Sequence, residues 1–361
     1  MKAAIISLGS VSSKWTAAAM KKYFKTVDQI DIRTIEVNMG GGELNVLCNG
    51  KPIGEYDCIF AKGSFRYEAL LRSVAAALCD TVYMPVTPRA YTIGHDKLIT
   101  HLYLQKNNIP MPKTYLAATT EAAKGILKQA NYPVIMKFPQ GTGGKGVMFA
   151  DSFASASSVL DALTALRQPF IIQEYVETDG VDTRIIVIGD KVAAAMKRKA
   201  VFGEKRSNIH AGGVGESFTP DNFTRKIAIK SAQAIGAEIC AVDIIDGPKG
   251  PLVIEVNLSP GLQGITKATK IDVADKIAKY LYERTKDITG KEKEKDKKNL
   301  YGDLGIPEPE KEQKIKEIIT NLDFRGERML LPKAVTNVSK ITEDDEVTIS
   351  VDKGEINIKK F

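Results

Sequence analysis

The stretch VIMKFPQGTGGKGVMFA, residues 134–150, constrains the fold of this chain more than any other. Two apolar, strand-like runs flank six residues, of which Gly141, Gly143, Gly144 and Gly146 are glycine. The spacing of Gly141, Gly143 and Gly146 satisfies GxGxxG, the pattern of a dinucleotide-binding turn. That turn must open a helix whose N-terminus meets the pyrophosphate. Here Val147-Met148-Phe149-Ala150 follows, a strand-like run, so a Rossmann site is excluded by context, and no GK[ST] closes a Walker loop. Strand, glycine loop, strand remains. Such a loop can fold over phosphates and donate backbone N–H groups at short range, because glycine has no Cβ to hold it away. Lys137, on the preceding strand, adds a positive charge beneath them. A plain hairpin with a mobile tip is the alternative.

Around this element the chain divides into three parts. Up to about residue 90, strand-like runs (Lys2–Leu8, Gln29–Val37, Tyr56–Lys62, Thr81–Pro85) alternate with helical ones (Ser13–Phe24, Tyr67–Ala77), the pattern of a small α/β sheet. Residues 91–285 read as a larger α+β domain. Its helices are expected over Tyr91–Asn107, Thr120–Gln129, Ser152–Leu166, Thr224–Ile235 and Val273–Arg284. Its strands are expected over Pro133–Phe138, Gly146–Ala150, Phe170–Tyr175, Thr183–Ile188, Lys191–Lys199, Ala241–Ile245 and Leu252–Val256. At Lys286 the composition changes to KDITGKEKEKDKK, which has almost nothing to bury and reads as a charged linker over 286–310 or a solvated helix extension. A small module over 311–361 follows, with a helix at Lys311–Leu322 and a hairpin of Glu346–Val351 and Glu355–Lys360.

A second constellation is AVDIIDGPKGPLVIEVNLSPGLQG. Glu255 and Asn257 are two apart on an apolar strand, so both point to one face, and Asp243 joins them if its strand is adjacent. Three oxygen donors without His or Cys suit Mg²⁺ or Mn²⁺ when substrate phosphates complete the shell. Carboxylates at solvated strand edges are the alternative. Against it, the flanks are strongly apolar, where a casual carboxylate is costly. Between the two constellations, Gln173-Glu174-Tyr175-Val176 ends a strand with main-chain groups that suit an adenine edge. Asp182 and Arg184 alternate on the next strand, Lys197, Arg198 and Lys199 end another, and Arg206-Ser207-Asn208 falls in a loop. A cation there can stabilise a phosphoryl group as charge builds. His210 reads as loop packing.

Composition narrows the function classes. Hydrophobic residues make up 43% and charged residues 26%, so the chain is not disordered as a whole. No apolar run approaches the roughly 18 residues of a membrane span. Lys plus Arg number 51 and Asp plus Glu 44, a net +7 that suits anionic ligands without arguing for nucleic acid. Four cysteines with no CxxC and no neighbouring His speak against a zinc site and a disulfide framework, and a reducing cytoplasm is the expected compartment. The start, MKAAIISLGS, reads as a first strand rather than a signal peptide.

In order and spacing, HDK (His95–Lys97), MKFPQGTGGKGV, QEYV, VDTR, AAMKRKAVFGEKRSNIHAGG, VDI and EVNLSPGLQGI resemble the ATP-grasp superfamily, and within it the RimK-type ligases. The resemblance covers about residues 91–284. It implies an ATP-grasp fold: an α/β head and two α+β subdomains that enclose ATP. Residue by residue, it implies that Lys97 and Lys137 contact the ATP phosphates under the Gly141–Gly146 loop. Glu174, Tyr175 and Val176 would hold adenine, Asp182 would face the nucleotide, and Arg206, Ser207 and Asn208 would line the phosphate region. Asp243, Glu255 and Asn257 would bind two Mg²⁺ or Mn²⁺ ions. Arg206, Arg184 and Lys197 are then the candidate catalytic cations. Lys62, Arg66, Arg72, Ser259 and Gly261 are the candidate substrate contacts, because the arginine common after the central head strand of RimK-type ligases is replaced by Phe60-Ala61-Lys62-Gly63-Ser64. The implied reaction is ATP-dependent carboxylate–amine ligation through an acyl phosphate. Glutamate is the amino acid expected first, with a protein, carrier protein or coenzyme as acceptor.

The tail lies outside that resemblance. It faintly resembles the swapped-hairpin β modules of AbrB-like proteins, but its acidic stretch Glu343–Glu346 speaks against a phosphate-facing surface. Homo-oligomerisation or docking is expected of it, not nucleic-acid binding. A non-catalytic ATP-binding scaffold that acts through this tail, and a carboxyl kinase that stops at the acyl phosphate, are the competing functions.

Overall fold

The computed structural model describes residues 1–40, 43–141, 146–200, 214–303, 323–326, 328–342, 345–352 and 355–360. The chain divides into two compact units, Met1–Glu294 and Lys295–Phe361.

The first unit opens with β1 (Lys2–Ser7), α1 (Val11–Met20), β2 (Thr26–Asp31), β3 (Ile35–Gly40), β4 (Glu43–Cys48), β5 (Lys51–Pro52), β6 (Cys58–Ala61), α2 (Glu68–Leu78) and α3 (Pro88–Gly94). β2-β1-β6 is a parallel sheet, and β3-β4-β5 a separate antiparallel one. The strand expected over Gln29–Val37 is split. Asp31 accepts a hydrogen bond from the Arg33 N–H at 2.9 Å and turns Ile32–Thr34 into a 3₁₀ turn. The strand expected over Thr81–Pro85 is reduced to a single bridge between Tyr83 and Cys58.

Next come α4 (Lys97–Lys106), β7 (Thr114–Tyr115), α5 (Thr120–Gln129), β8 (Val134–Lys137), β9 (Val147–Ala150), α6 (Phe153–Ala165) and β10 (Ile171–Glu174). The single helix expected over Tyr91–Asn107 is two helices, α3 and α4. His95 closes the first and Asp96 caps the second, accepting from Leu98 and Ile99 N–H at 2.8 and 3.0 Å. The sheet order is β7-β10-β8-β9, and α5 and α6 bury Ala123, Leu127, Ala156 and Leu160 against it in a core of its own.

The rest of the unit is β11 (Val181–Ile188), β12 (Lys191–Lys199), β13 (Val214–Ser217), α7 (Asn222–Ile235), β14 (Ile239–Gly247), β15 (Gly250–Asn257), α8 (Gln263–Thr269) and the part up to Glu294 of α9 (Val273–Asp303). The antiparallel order is β13-β12-β11-β14-β15. A second core runs through this sheet, α7, α9 and the parallel sheet, so residues expected as a head at 1–90 and a middle domain at 91–285 share it. Of the linker and the helix extension expected for the charged stretch, the structure has the helix: α9 continues through most of it to Asp303. Gly236, at φ +80°, closes α7 in the left-handed conformation that favours glycine.

The second unit carries β16 (Asp323–Arg325), β17 (Arg328–Leu330), α10 (Lys333–Ser339), β18 (Val347–Asp352) and β19 (Glu355–Lys360). β18 and β19 pair antiparallel with Ile349 opposite Ile358 and Val351 opposite Ile356, close to the expected hairpin. Ile349, Val351 and Ile356 are exposed. The helix expected over Lys311–Leu322 lies outside the described residues.

Candidate active site

A cleft of about 590 Å³ in the first unit is lined by residues of the four-stranded sheet, the five-stranded sheet and the carboxyl ends of β1 and β6. Strand register assembles one wall. β11 and β12 place Asp182 opposite Arg198, β11 and β14 place Arg184 opposite Asp243, and β14 and β15 place Asp243 opposite Glu255 and Ala241 opposite Asn257. The pleat turns these charged side chains to one face.

The charges on that face are paired. Arg184 donates from Nε to Asp243 Oδ1 at 2.8 Å and from Nη2 to Oδ2 at 2.7 Å. Arg198 forks onto Asp182 and also reaches Asp243 Oδ2 at 2.9 Å. Burial would raise the Asp243 carboxyl, but the Arg184 and Arg198 guanidiniums outweigh it and hold it below the usual carboxylate range. Asp243 thus accepts three N–H bonds of roughly four lone-pair positions on a carboxylate. Asn257 Oδ1 accepts the Ser259 N–H at 2.9 Å, and Glu255 Oε1 lies 3.6 Å from Lys97 Nζ.

The four-stranded sheet supplies another wall. Lys137 is buried, and its Nζ donates to Gln173 Oε1 at 2.9 Å. Burial pushes this ammonium down to about 8, with Glu255 opposing and Lys97 adding. Gln173 Nε2 donates to Thr114 Oγ1 at 2.7 Å and lies 3.4 Å from His101 Nε2. Burial, then the Lys137 charge, lowers His101 to about 3, so its ring is neutral and able to accept. Lys97, at the start of α4, donates from Nζ to the Gly141 carbonyl at 2.9 Å. Gly146 has φ +77°, and a Cβ there would overlap the Phe138 ring. Glu174, Tyr175 and Val176 line the cleft, with Tyr175 edge-on to Phe149 at 5.3 Å between ring centroids.

Of the residues expected at the site, Lys62, Lys97, Lys137, Gly141, Glu174, Tyr175, Val176, Asp182, Arg184, Asp243, Glu255, Asn257, Ser259 and Gly261 share this cleft. Gly143, Gly144, Arg206, Ser207 and Asn208 lie outside the described residues, as does His210. Four expected residues that are described, Gly146, Lys197, Arg66 and Arg72, stand outside this lining. Lys197 is absent from the lining: its neighbour Arg198 takes the cleft side of β12, while Lys197 sits 3.7 Å from Asp246 and over the Phe218 ring. Arg66 is exposed on a 3₁₀ turn, and Arg72 pairs with Glu68 at 3.4 Å; neither lines the cleft. Sequence reasoning gave Gln173 only a main-chain part and named Arg198 only beside Lys197 and Lys199; the side-chain bonds of Gln173 to Lys137 and of Arg198 to Asp182 were missed. The parity of Arg198 is hidden by Val192–Met196, apolar on both faces.

Among the described residues no three His, Cys, Asp or Glu side chains form a ready metal cage. Glu255, Asn257 and the remaining lone pair of Asp243 are oxygen donors facing the cleft, the set a hard cation takes when substrate phosphates supply the rest.

Comparison with known proteins gives the family. Residues 94–281 match the RimK-like ATP-grasp domain. A protein of Marinomonas sp. named probable alpha-L-glutamate ligase is 34% identical over 289 residues, 78% of this chain and 95% of that protein. One of Shewanella frigidimarina, probable alpha-L-glutamate ligase 1, is 36% identical over 288 residues, 78% of this chain and 93% of that protein. One of Cellvibrio japonicus reaches 41% over 198 residues, which is 54% of this chain and 66% of that protein. Among solved structures, the ATP-grasp ligase PsnB complexed with a precursor variant, Mg and ADP superimposes with a TM-score of 0.63 at 15% identity, over 79% of this chain and 98% of that one. A RimK domain ATP-grasp protein of Sphaerobacter thermophilus gives 0.62 at 18% identity, over 78% and 99%. The chain belongs to the RimK-like ATP-grasp family and is a ligase that forms C–N bonds.

Proposed function

We propose that this ligase joins an amino acid, L-glutamate first, to a carboxylate acceptor, with ATP converted to ADP and phosphate. The observation that carries this reading is the convergence of Lys97 and Lys137 with Glu255 and Asn257 on one cleft, in a chain whose relatives are named glutamate ligases. Lys137 and Lys97 hold the ATP phosphates. The main chain of Glu174–Val176 takes the adenine edge. Glu255, Asn257 and Asp243 would hold two Mg²⁺ or Mn²⁺ ions, which when bound offset the phosphate charge. An acceptor carboxylate oxygen attacks the γ-phosphorus and ADP leaves. The amine then attacks the acyl carbon of the acyl phosphate, loses a proton and expels inorganic phosphate. Such a site works by positioning and charge stabilisation and needs no side-chain nucleophile. Arg184 commits Nε and Nη2 to Asp243, so its part is to position that carboxylate.

The tail, with Ile349, Val351 and Ile356 of β18 and β19 exposed, serves homo-oligomerisation in this reading. The working compartment is the cytoplasm.

ADP release with Mg²⁺-ATP, measured against a panel of amino acids with fractionated cell extract as acceptor source, tests the reading. Turnover that needs both L-glutamate and one fraction supports it. ATP binding without any amine-dependent turnover refutes it in favour of a scaffold.

A further inference from the structure

The parallel sheet has the order β2-β1-β6, so strand order reverses between β1 and β6. The crevice beyond the carboxyl ends of such a pair is where open α/β sheets take ligands. Ser7, Ser10 and Ser13, from the end of β1 and the start of α1, line the cleft there with Lys62, Gly63 and Ser64 from the end of β6. α1 has ten residues and no acid in its first turn, so its N-terminal partial charge is uncompensated there.

Lys62 is the second, independent observation. It is 5% exposed, yet no hydrogen bond or ion pair to its ammonium exists among the described residues; Nζ lies 5.5 Å from the centroid of the Phe60 ring. Hydrogen bonds hold the main chain at Lys62 and on both sides of it. Lys62 N–H donates to the Ile6 carbonyl at 2.8 Å, Tyr91 OH donates to the Ala61 carbonyl at 2.8 Å, and Gly63 N–H donates to Ser259 Oγ at 3.1 Å. A buried cation without a counter-charge destabilises a fold. One held on so rigid a base, beside a helix N-terminus and open to a cleft, has the form of an anion site. Lys97 and Lys137 already serve the phosphate end, so this wall is left for a different anion. A position this enclosed suits a small molecule taken whole rather than a large acceptor.

We propose that Lys62 and the first turn of α1 form a carboxylate subsite that binds one carboxylate of the dicarboxylic amino-acid substrate and sets the preference for it over its neutral amide. This rests on the ligase reading above and adds the place and chemistry of amino-acid recognition.

The test is calorimetric titration of L-glutamate, and separately L-glutamine, into the full chain with Mg²⁺-ADP present, for wild type, Lys62→Met and Lys62→Arg. Lys62→Met should weaken L-glutamate binding by about 10- to 100-fold, the range of one charge-assisted hydrogen bond, and erase the preference over L-glutamine. Lys62→Arg should regain part of both. Without ligand, Lys62→Met should melt higher than wild type, whereas a lysine with a structural role would make it melt lower. Unchanged L-glutamate affinity in Lys62→Met overturns the proposal. Should that variant not fold, Lys62→Gln with unchanged affinity does the same. Wild-type chain that fails to bind Mg²⁺-ADP sinks the ligase reading instead, so the two failures are distinct.

Discussion

On the five-stranded sheet, Asp182, Arg198, Asp243 and Arg184 are tied to one another by forked hydrogen bonds, whereas on the wall built from β1 and β6 the buried Lys62 meets no polar partner among the described residues. Lys137 stands between these cases: buried like Lys62 and pushed to the same value of about 8, but held by Gln173. Burial alone explains the lowered value of Lys62, and burial leads for Lys137. What separates them is satisfaction. A saturated cluster is a frame that holds donors in place, and a lone buried cation is a vacancy in the charge pattern for a ligand to fill.

Breaking the saturated wall should have the largest effect. Arg198→Met leaves the carboxylates of Asp182 and Asp243 short of a shared partner inside the protein. A loss of about 3–5 kcal/mol in urea unfolding is expected, as for other broken buried ion pairs. A loss below 1 kcal/mol would show the cluster to be ornamental.

Lys137→Met should leave stability equal or higher, because a buried charge is removed, and weaken ATP binding by about 10- to 100-fold. Gln173→Leu should do less, a several-fold weakening, since it frees Lys137 without removing it. Equal effects of the two in an ATP titration would contradict the division between holder and held.

The pH response sharpens the comparison further. His101 is lowered from 6.5 to about 3, so between those values the unfolded chain binds more protons than the folded one. Its contribution to stability is full above 6.5 and is lost as pH falls toward 3. His101→Gln should flatten the acid limb of urea midpoints in that window and leave the midpoint at neutral pH comparatively little changed. The smallest effect on catalysis is expected from removing residues 311–361. ATP turnover should persist while the elution volume on gel filtration changes, and an unchanged volume would refute an oligomerising tail.

Much of this was legible in the chain because local chemistry and fold agreed. Thr120–Gln129 and Lys191–Lys199 have the bounds their patterns imply, and the two-residue spacing of Glu255 and Asn257 was enough to place both on the cleft face. The misses share a cause: information that lies between strands rather than along them. Choosing Lys197 over Arg198 needed the β11–β12 register, which a run apolar on both faces does not reveal. Asp96 breaking Tyr91–Asn107 was written as a cap, but inside an otherwise helical pattern it reads as tolerated. Gln173 looks like an ordinary strand polar residue until Lys137 is seen at its carbonyl. The wall that carries Lys62 could be guessed as a substrate side, yet only the structure separates that lysine from Arg66 and Arg72.

The central claim is that the cleft-facing oxygens of β14 and β15 serve phosphoryl transfer in a ligase. ADP release by Glu255→Gln, run beside ATP binding by the same protein, tests it most directly. The account predicts that ATP still binds while amine-dependent ADP release falls to background. Wild-type turnover in Glu255→Gln would contradict it.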